Sequence, residues 1–440
     1  MKEQDKIYSS RSQRTGKFLK TGVKLGTNYL KHYGKKLVSG EADTESLQEK
    51  NAEDVYEALS SLKGSALKVA QMLSMDQGLL PQAYTQRFAQ AQYSAPPLSY
   101  PLVVKTFMQF FKASPKEIFD DFSMQSVAAA SIGQVHKATK DGQKLAVKIQ
   151  YPGVATSIKS DLKMVKPVVS AMFNISQAEM NHYLEEVEVR LLEETDYGLE
   201  LERGQKITEA CKDIEGLRFP KYYPEYSAER VLTMDWLDGL HLDQFVATNP
   251  DQESRNKLGQ VLWDFYDFQI HRLRELHADP HPGNFLFSED GTMGVIDFGC
   301  IKVLPKAFYQ DYFQIMKPAI SENESEFLEL LYRLKFLLPS DSEKEVNHFK
   351  QIYADLLLLL GKPFFQDRFD FSDKAYFEEI YGLSEIFQND KMVRNAQAGR
   401  GPKDAIYLNR TYFGLYNILH LLGAEIDTRS AVNKLFLVES

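Results

Sequence analysis

Apolar residues at Val55, Leu59, Leu62, Ala66, Val69 and Leu73 recur at alternating spacings of four and three. That spacing marks one face of a helix and predicts a helix or helical pair over 45–75. Leu79-Leu80-Pro81 ends it, a second helical pattern covers 82–92, and Ala95-Pro96-Pro97 reads as a turn or linker. Between 119 and 150 the pattern becomes strand, small-residue loop, strand, hairpin, strand. The loop is Ser126 to His136, the hairpin turn is Lys140-Asp141-Gly142-Gln143, and the last strand is Lys144 to Ile149. Residues 159–206 read as helical, with an acidic second half that suits a solvated face. A strand is predicted over 230–237, broken by Asp238-Gly239, and an apolar, aromatic helix over 258–275. Phe285-Leu286-Phe287 and Gly294-Val295-Ile296 read as two strands joined by the turn Ser288-Glu289-Asp290-Gly291. The rest is mostly helical, most clearly over 346–360 and 408–422, and no repeat is visible.

Two motifs give this pattern a chemistry. His277-Ala278-Asp279 leads to Asn284 in the spacing H-x-D-x-x-x-x-N, and Asp297-Phe298-Gly299 follows the short hairpin. Protein kinases build a catalytic loop on that spacing, with the Asp facing the acceptor and the Asn and the D-F-G Asp holding metal ions. Magnesium needs hard oxygen ligands, which Asn284 and Asp297 supply as an amide and a carboxylate oxygen. The predicted hairpin brings the two side by side. Upstream, Leu145-Ala146-Val147-Lys148-Ile149 fits the strand whose lysine reaches the nucleotide phosphates. The loop before it, Ala128-Ala129-Ala130-Ser131, is rich in alanine where kinases carry glycine. Small residues still let backbone approach phosphate, but alanine adopts positive φ less freely. The 230–237 strand fits a hinge whose backbone reads an adenine edge, with Met234 and Trp236 as its candidates. A kinase pairs its lysine with a helical Glu; periodicity alone does not choose among those of 185–202.

Composition bounds these readings. The 440 residues suffice for two or three domain-sized units, and 43% hydrophobic with 26% charged residues is ordinary for a soluble globular chain. A net charge of −9 argues against a nucleic-acid binder. Cys211 and Cys300 lie in no metal-ligand pattern and read as reduced thiols, so the expected setting is a reducing, cytoplasmic compartment. No apolar run approaches the roughly 20 residues of a membrane span, and no secretory signal is expected. His277 and His281 have the spacing of a helical zinc pair, but Pro280 and Pro282 disfavour a regular helix there. Residues 1–44 stand apart. Lys17, Lys20, Lys24, Lys31, Lys35 and Lys36 are interleaved with apolar residues, and no acidic residue occurs between Asp5 and Glu41. Such an arm reads either as a solvated tail or as a basic amphipathic segment on an anionic membrane surface.

With these residues laid out, the chain resembles the UbiB (AarF/ADCK) family of atypical protein-kinase-like proteins over most of 50–305. The resemblance is carried by Leu67 to Ser74, by Ala128 to His136, by Val147-Lys148-Ile149-Gln150-Tyr151-Pro152-Gly153-Val154, by Glu194-Thr195-Asp196-Tyr197, by Asp279 to Asn284 and by Asp297-Phe298-Gly299. It implies an α+β, two-lobed kinase-like fold with an N-terminal helical extension and a mostly helical C-terminal lobe. The expected division is a basic arm over 1–44, a helical extension over 45–112, a first lobe with inserted helices over 113–237 and a helical second lobe over 238–440. The resemblance further implies that Lys68 and Gln71 belong to a K-x-G-Q motif that reaches over the active site. Ala70 stands here where the family has Gly. Glu194 and Asp196 match an E-x-D motif near the metals, Glu200 the Glu that pairs with Lys148, Asp279 the catalytic-loop Asp, and Asn284 and Asp297 the metal ligands. The implied cofactors are ATP and Mg²⁺. The implied setting is coenzyme Q or other prenyl-lipid metabolism, with a quinone precursor or prenyl lipid as ligand and a peripheral membrane surface as partner.

Three functions fit these residues. The first is a Mg²⁺-dependent ATPase or phosphotransferase of the kinase type, acting at or near membrane lipids. The second is a protein kinase, against which stand the alanine-rich loop, the extension and the absence of an A-P-E sequence after Asp297-Phe298-Gly299. The third is a nucleotide-sensing scaffold without catalysis, which has no need of Lys148, Asp279, Asn284 and Asp297 together.

Overall fold

The computed structural model describes residues 49–54, 98–129, 132–173, 177–390, 392–393 and 400–429. The basic arm and most of the helical extension, with Lys68 and Gln71, lie outside the described residues, as do Ala130 and Ser131. In chain order the longer helices are α1 (Tyr100–Phe111), α2 (Val154–Phe173), α3 (Gln177–Glu194), α4 (Tyr197–Cys211), α5 (Gln252–Phe268), α6 (Lys306–Ile315), α7 (Glu324–Arg333), α8 (Glu343–Gly361), α9 (Lys374–Asn389) and α10 (Lys403–Leu422). The strands are β1 (Asp121–Phe122), β2 (Ala128–Ala129), β3 (Gly133–Lys140), β4 (Gln143–Gln150), β5 (Leu217–Arg218), β6 (Val231–Asp235), β7 (Glu275–His277), β8 (Phe285–Phe287), β9 (Met293–Val295), β10 (Ile301–Val303), β11 (Arg368–Asp370) and β12 (Glu425–Asp427). The chain divides into two compact units, Met1–Leu201 with Lys221–Trp236, and Glu202–Pro220 with Leu237–Ser440.

The first unit is built on an antiparallel sheet in the order β1-β3-β4-β6, with β2 also paired to β3. The β3–β4 hairpin closes where the sequence places its turn. Asp141 and Gly142 take φ of 50° and 77°, the left-handed pair whose twist suits a two-residue hairpin. β4 is the central strand, paired on both sides, and its last six residues are all buried. That burial explains why Leu145, Ala146, Val147 and Ile149 form an almost unbroken apolar run. One face packs on Val103 and Phe107 of α1 together with Phe119 and Phe122. Phe107 and Phe122 meet edge to face at 5.7 Å, and full burial of one such ring contributes about 1.5–3 kcal/mol.

In the second unit, Asp251 caps α5 by accepting from the Ser254 amide. Leu258, Val261, Leu262, Phe265 and Tyr266 give the helix its buried face. The sequence pattern carries a helix to 275, but α5 ends at Phe268. It widens into a π turn over Gln269–Leu273 and reverses at Arg274, where φ is 53°. Tertiary pairing overrides periodicity here: Glu275–His277 must be extended to pair with β10. The β8–β9 hairpin pairs Phe285 with Val295 and Phe287 with Met293, one residue earlier on the second strand than the pattern suggests. β5 lies parallel to β9. That pairing gathers 202–220, which the sequence reading put in the first lobe, into the second unit. Trp263, Phe364, Phe371, Tyr412 and Tyr416 form an aromatic centre between α5 and α10.

Candidate functional site

The first unit carries one set of candidate residues, centred on Lys148. Lys148 sits on β4 between Val135 and Leu232. Its ammonium donates to both oxygens of Glu200, at 2.8 and 2.9 Å. The pair is nearly closed to water, with side chains 10% and 2% exposed. The ammonium also lies 5.2 Å from the centre of the Tyr197 ring. Glu200 stands in the first turn of α4, and Asp196 caps that helix by accepting from the Leu199 amide at 3.0 Å. Asp196 of the E-x-D motif therefore starts the helix that presents Glu200. Glu194 closes α3 and is half-buried.

The alanine-rich loop begins as β2, with Ala128 opposite Val135 and Ala129 opposite Gln134. In β6 Met234 is buried and pairs with Ala146. The Trp236 amide donates to the Lys144 carbonyl at 2.9 Å. The Trp236 ring lies under the Lys137 ammonium at 4.2 Å. The Asp235 amide donates to Lys221. The backbone donors at Asp235 and Trp236 are thus taken by carbonyls of the same unit.

The second unit carries the loop with Asp279, Asn284 and Asp297. His277 is fully buried and ties its two ends together. Its Nε2 meets the Asp297 carbonyl at 2.8 Å. A carbonyl only accepts, so Nε2 bears the proton and Nδ1 accepts from the Tyr266 hydroxyl at 3.3 Å. With both nitrogens engaged, His277 is no zinc ligand. His281 accepts from the Gly283 amide through Nδ1 at 3.0 Å. The Ala278 amide donates to the Cys300 carbonyl, and the Ile296 amide to the Asn284 carbonyl, which fixes the catalytic loop against the D-F-G segment. Asn284 donates from Nδ2 to the Asp279 carbonyl at 2.9 Å and lies 3.4 Å from Asp279 Oδ2. With Nδ2 engaged there, Oδ1 is the amide's acceptor atom, the type of oxygen a hard cation takes. Asp297 Oδ1 accepts from the Gly299 amide at 2.9 Å. Phe298 is fully buried against Phe219 and His277. Among the described residues no three His, Cys, Asp or Glu side chains gather as a self-sufficient metal site. Cys211 and Cys300 are both buried and are not joined in a disulfide.

Sequence reasoning missed one group at this loop. Arg410 of α10 donates from Nη2 to Asp279 Oδ1 at 2.8 Å, and the two side chains are 16% and 19% exposed. One turn on, Gly414 faces Pro280. A Cβ at 414 would lie 2.3 Å from Pro280 Cγ and 3.0 Å from its carbonyl oxygen. Arg410 and Gly414 are four residues apart and share one face of the helix. The available signal was an arginine and a glycine at that spacing in a helix with a long apolar face, with nothing local to name their partner.

The ABC1 atypical kinase-like domain model matches residues 90–331. The probable serine/threonine-protein kinase abkA of Dictyostelium discoideum is 26% identical over 453 residues, covering 97% of this chain and 79% of its own. The mitochondrial atypical kinase COQ8 of Saccharomyces cerevisiae is 26% identical, covering 89% of this chain and 77% of its own. COQ8B of Rattus norvegicus is 29% identical, covering 96% and 80%. Among solved structures, Rv3197 of Mycobacterium tuberculosis in complex with erythromycin is 28% identical with a TM-score of 0.61, covering 89% of this chain and 97% of its own. The match over more than half of the chain, on a kinase-like fold, places this protein in the ABC1 (UbiB, AarF/ADCK) family of atypical kinase-like proteins.

Proposed function

We propose that the protein binds ATP with Mg²⁺ and hydrolyses it or transfers its terminal phosphoryl group, in support of quinone or other prenyl-lipid metabolism at a membrane surface. The observation that carries the reading is the prepared state of both sets of residues. Lys148 is held by both oxygens of Glu200, and the Asn284 amide nitrogen is turned to the Asp279 carbonyl, which leaves Oδ1 as the acceptor end of the amide. Bound Mg²⁺ supplies charge neutralisation and orientation of the phosphates. Lys148 binds phosphate oxygens as a fixed positive charge. Asn284 and Asp297 offer the metal an amide and a carboxylate oxygen. Asp279, held by Arg410 and Asn284, orients the acceptor hydroxyl or water. Positioning and charge stabilisation supply most of the rate in such a site.

The names of the yeast and rat relatives support the link to quinone metabolism, since both are called COQ8-type atypical kinases. The basic arm supports contact with an anionic surface. Among the described residues no helix is long and apolar enough to cross a membrane. The test is equilibrium binding of Mg-ATP to the purified protein. Wild type is expected to bind only with Mg²⁺ present. Lys148→Met is expected to weaken binding tenfold or more, and Asp297→Asn to abolish the dependence on Mg²⁺. Binding that ignores Mg²⁺ and both substitutions would sink the reading. Normal binding without turnover would favour the scaffold, and labelling of added proteins independent of liposomes would favour the protein kinase.

A further inference from the structure

A chain of hydrogen bonds in the first unit is used by none of the roles above. Leu98, Gln134 and His136 are 2%, 0% and 0% exposed. The Leu98 amide donates to Gln134 Oε1 at 2.6 Å. Gln134 Nε2 lies 3.5 Å from the Leu98 carbonyl and 2.8 Å from His136 Nε2. His136 Nδ1 lies 2.8 Å from the Ser123 carbonyl. The directions follow from one fact. The Ser123 carbonyl can only accept, so Nδ1 carries the imidazole proton and Nε2 must accept from the Gln134 amide. The amide oxygen then faces the Leu98 N–H, as observed. The His136 ring is further fixed by stacking on Phe122 at 5.0 Å, and burial holds its pKa below the usual histidine range.

The same residue roots the alanine-rich loop. The backbone of Gln134 pairs with Ala129, and that of Val135 with Ala128. β2 has only these two residues, so its place depends on where β3 begins. On the other side of the root, Gly133 is pressed against the Lys148 region. A Cβ at 133 would lie 2.7 Å from both the Ile149 carbonyl oxygen and the Tyr197 hydroxyl. Leu98 itself packs with Ile132, Tyr151 and Val154. The side chain of Gln134 therefore ties down Leu98, just ahead of α1, while its backbone holds the start of the loop.

We propose that Gln134 is a positioning residue that couples the chain at Leu98 to β2, the described start of the alanine-rich loop, so that the place of Ala128 and Ala129 relative to a bound nucleotide depends on how Leu98 is held. The nucleotide part of this inference rests on the function proposed above; the coupling does not.

Two measurements on the full chain test it. The first is the ring ¹⁵N spectrum of His136 in wild type at pH 7.5. The neutral Nδ1–H tautomer is expected; an Nε2–H tautomer would reverse the direction of the relay and overturn the proposal. The second is hydrogen exchange in Gln134→Leu, which fills the space and removes all three side-chain contacts. Exchange is expected to speed up about tenfold or more in both 98–102 and 126–135, with 258–268 unchanged. Acceleration in only one of the two segments, or an equal rise in 258–268, would overturn the coupling. If this variant does not fold, the wild-type tautomer decides alone. Mg-ATP affinity is read in parallel and is expected to fall about fivefold or more in Gln134→Leu. Unchanged affinity beside faster exchange would remove the loop's role in nucleotide binding, whereas wild type failing to bind Mg-ATP would remove the proposed function and leave the coupling to the exchange result.

Discussion

Arg410 reaches across 131 positions of sequence to hold the carboxylate of Asp279, with Nη2 and Oδ1 2.8 Å apart. In the kinase motif H-R-D an arginine precedes the Asp; here that position is Ala278, fully buried. The guanidinium beside Asp279 comes instead from α10. Held on one oxygen by Arg410 and near Asn284 through the other, Asp279 has little freedom to rotate. Arg410→Met is therefore expected to lower ATP turnover about 10- to 100-fold, in the range of one lost orienting or proton-handling group, with KM for Mg-ATP within about threefold of wild type. Arg410→Lys should be intermediate, because an ammonium lacks the planar fork. Steady-state kinetics check both, and a double substitution with Asp279→Asn should show little further loss if Arg410 acts through Asp279.

Gly414 makes a separate steric prediction. A methyl group there would collide with Pro280, so either α10 or the catalytic loop must move. Gly414→Ala should cost about 1–3 kcal/mol in stability, the usual range for overpacking, and should lower turnover more than it weakens nucleotide binding. Urea denaturation beside kinetics separates the two effects.

The Lys148–Glu200 pair is buried, and removing one partner leaves the other charge in a site with little water. Glu200→Gln should destabilise the protein by roughly 3–5 kcal/mol. Lys148→Met combined with Glu200→Gln should recover part of that loss, since no unpaired charge remains. Chemical denaturation of the four proteins of the cycle measures it.

A second buried pair predicts a pH dependence. Asp267 Oδ1 and His271 Nε2 lie 3.8 Å apart. Burial, with Asp264 nearby, pushes the Asp267 carboxyl up to about 7. Burial, with Arg272 nearby, pushes the His271 imidazole down to about 3. Unfolded values are about 3.9 and 6.5. Asp267 contributes stability that is complete below about pH 4 and lost as pH rises through 7, because the folded state keeps its proton longer. His271 contributes stability that is complete above about pH 6.5 and lost as pH falls towards 3. Between about 4 and 6.5 the two slopes oppose each other. Replacing one group should expose the other: His271→Gln should lose stability as pH rises from about 4 to 7, and Asp267→Asn as pH falls from about 6.5. Urea midpoints across this range test the signs.

These relationships show what was legible beforehand. The fold class was legible because its signals are local: the Asp141-Gly142 turn, the apolar run of β4 and the hairpin between Asn284 and Asp297 each lie within a short window. The position of Lys148 followed from its strand, but its partner did not. Glu200 was one of several glutamates on an acidic helical stretch, and the resemblance, not the periodicity, selected it. The end of α5 was illegible because pairing of β7 with β10 overrides a helical pattern that continues through it. Arg410 and Gly414 were illegible for a plainer reason: their partners lie more than a hundred residues away, and only the packing of α10 brings them to the loop. The buried relay at Gln134 likewise has no periodicity to announce it.

The most direct test of the central claim is Mg²⁺-dependent ATP turnover by the purified protein, with and without anionic liposomes, comparing wild type with Asp297→Asn. Turnover that requires Mg²⁺, rises with liposomes and falls at least 100-fold in the variant is the predicted result, a loss of about 2.7 kcal/mol or more in transition-state stabilisation. Turnover equal in the two proteins, or none in wild type under either condition, would contradict it.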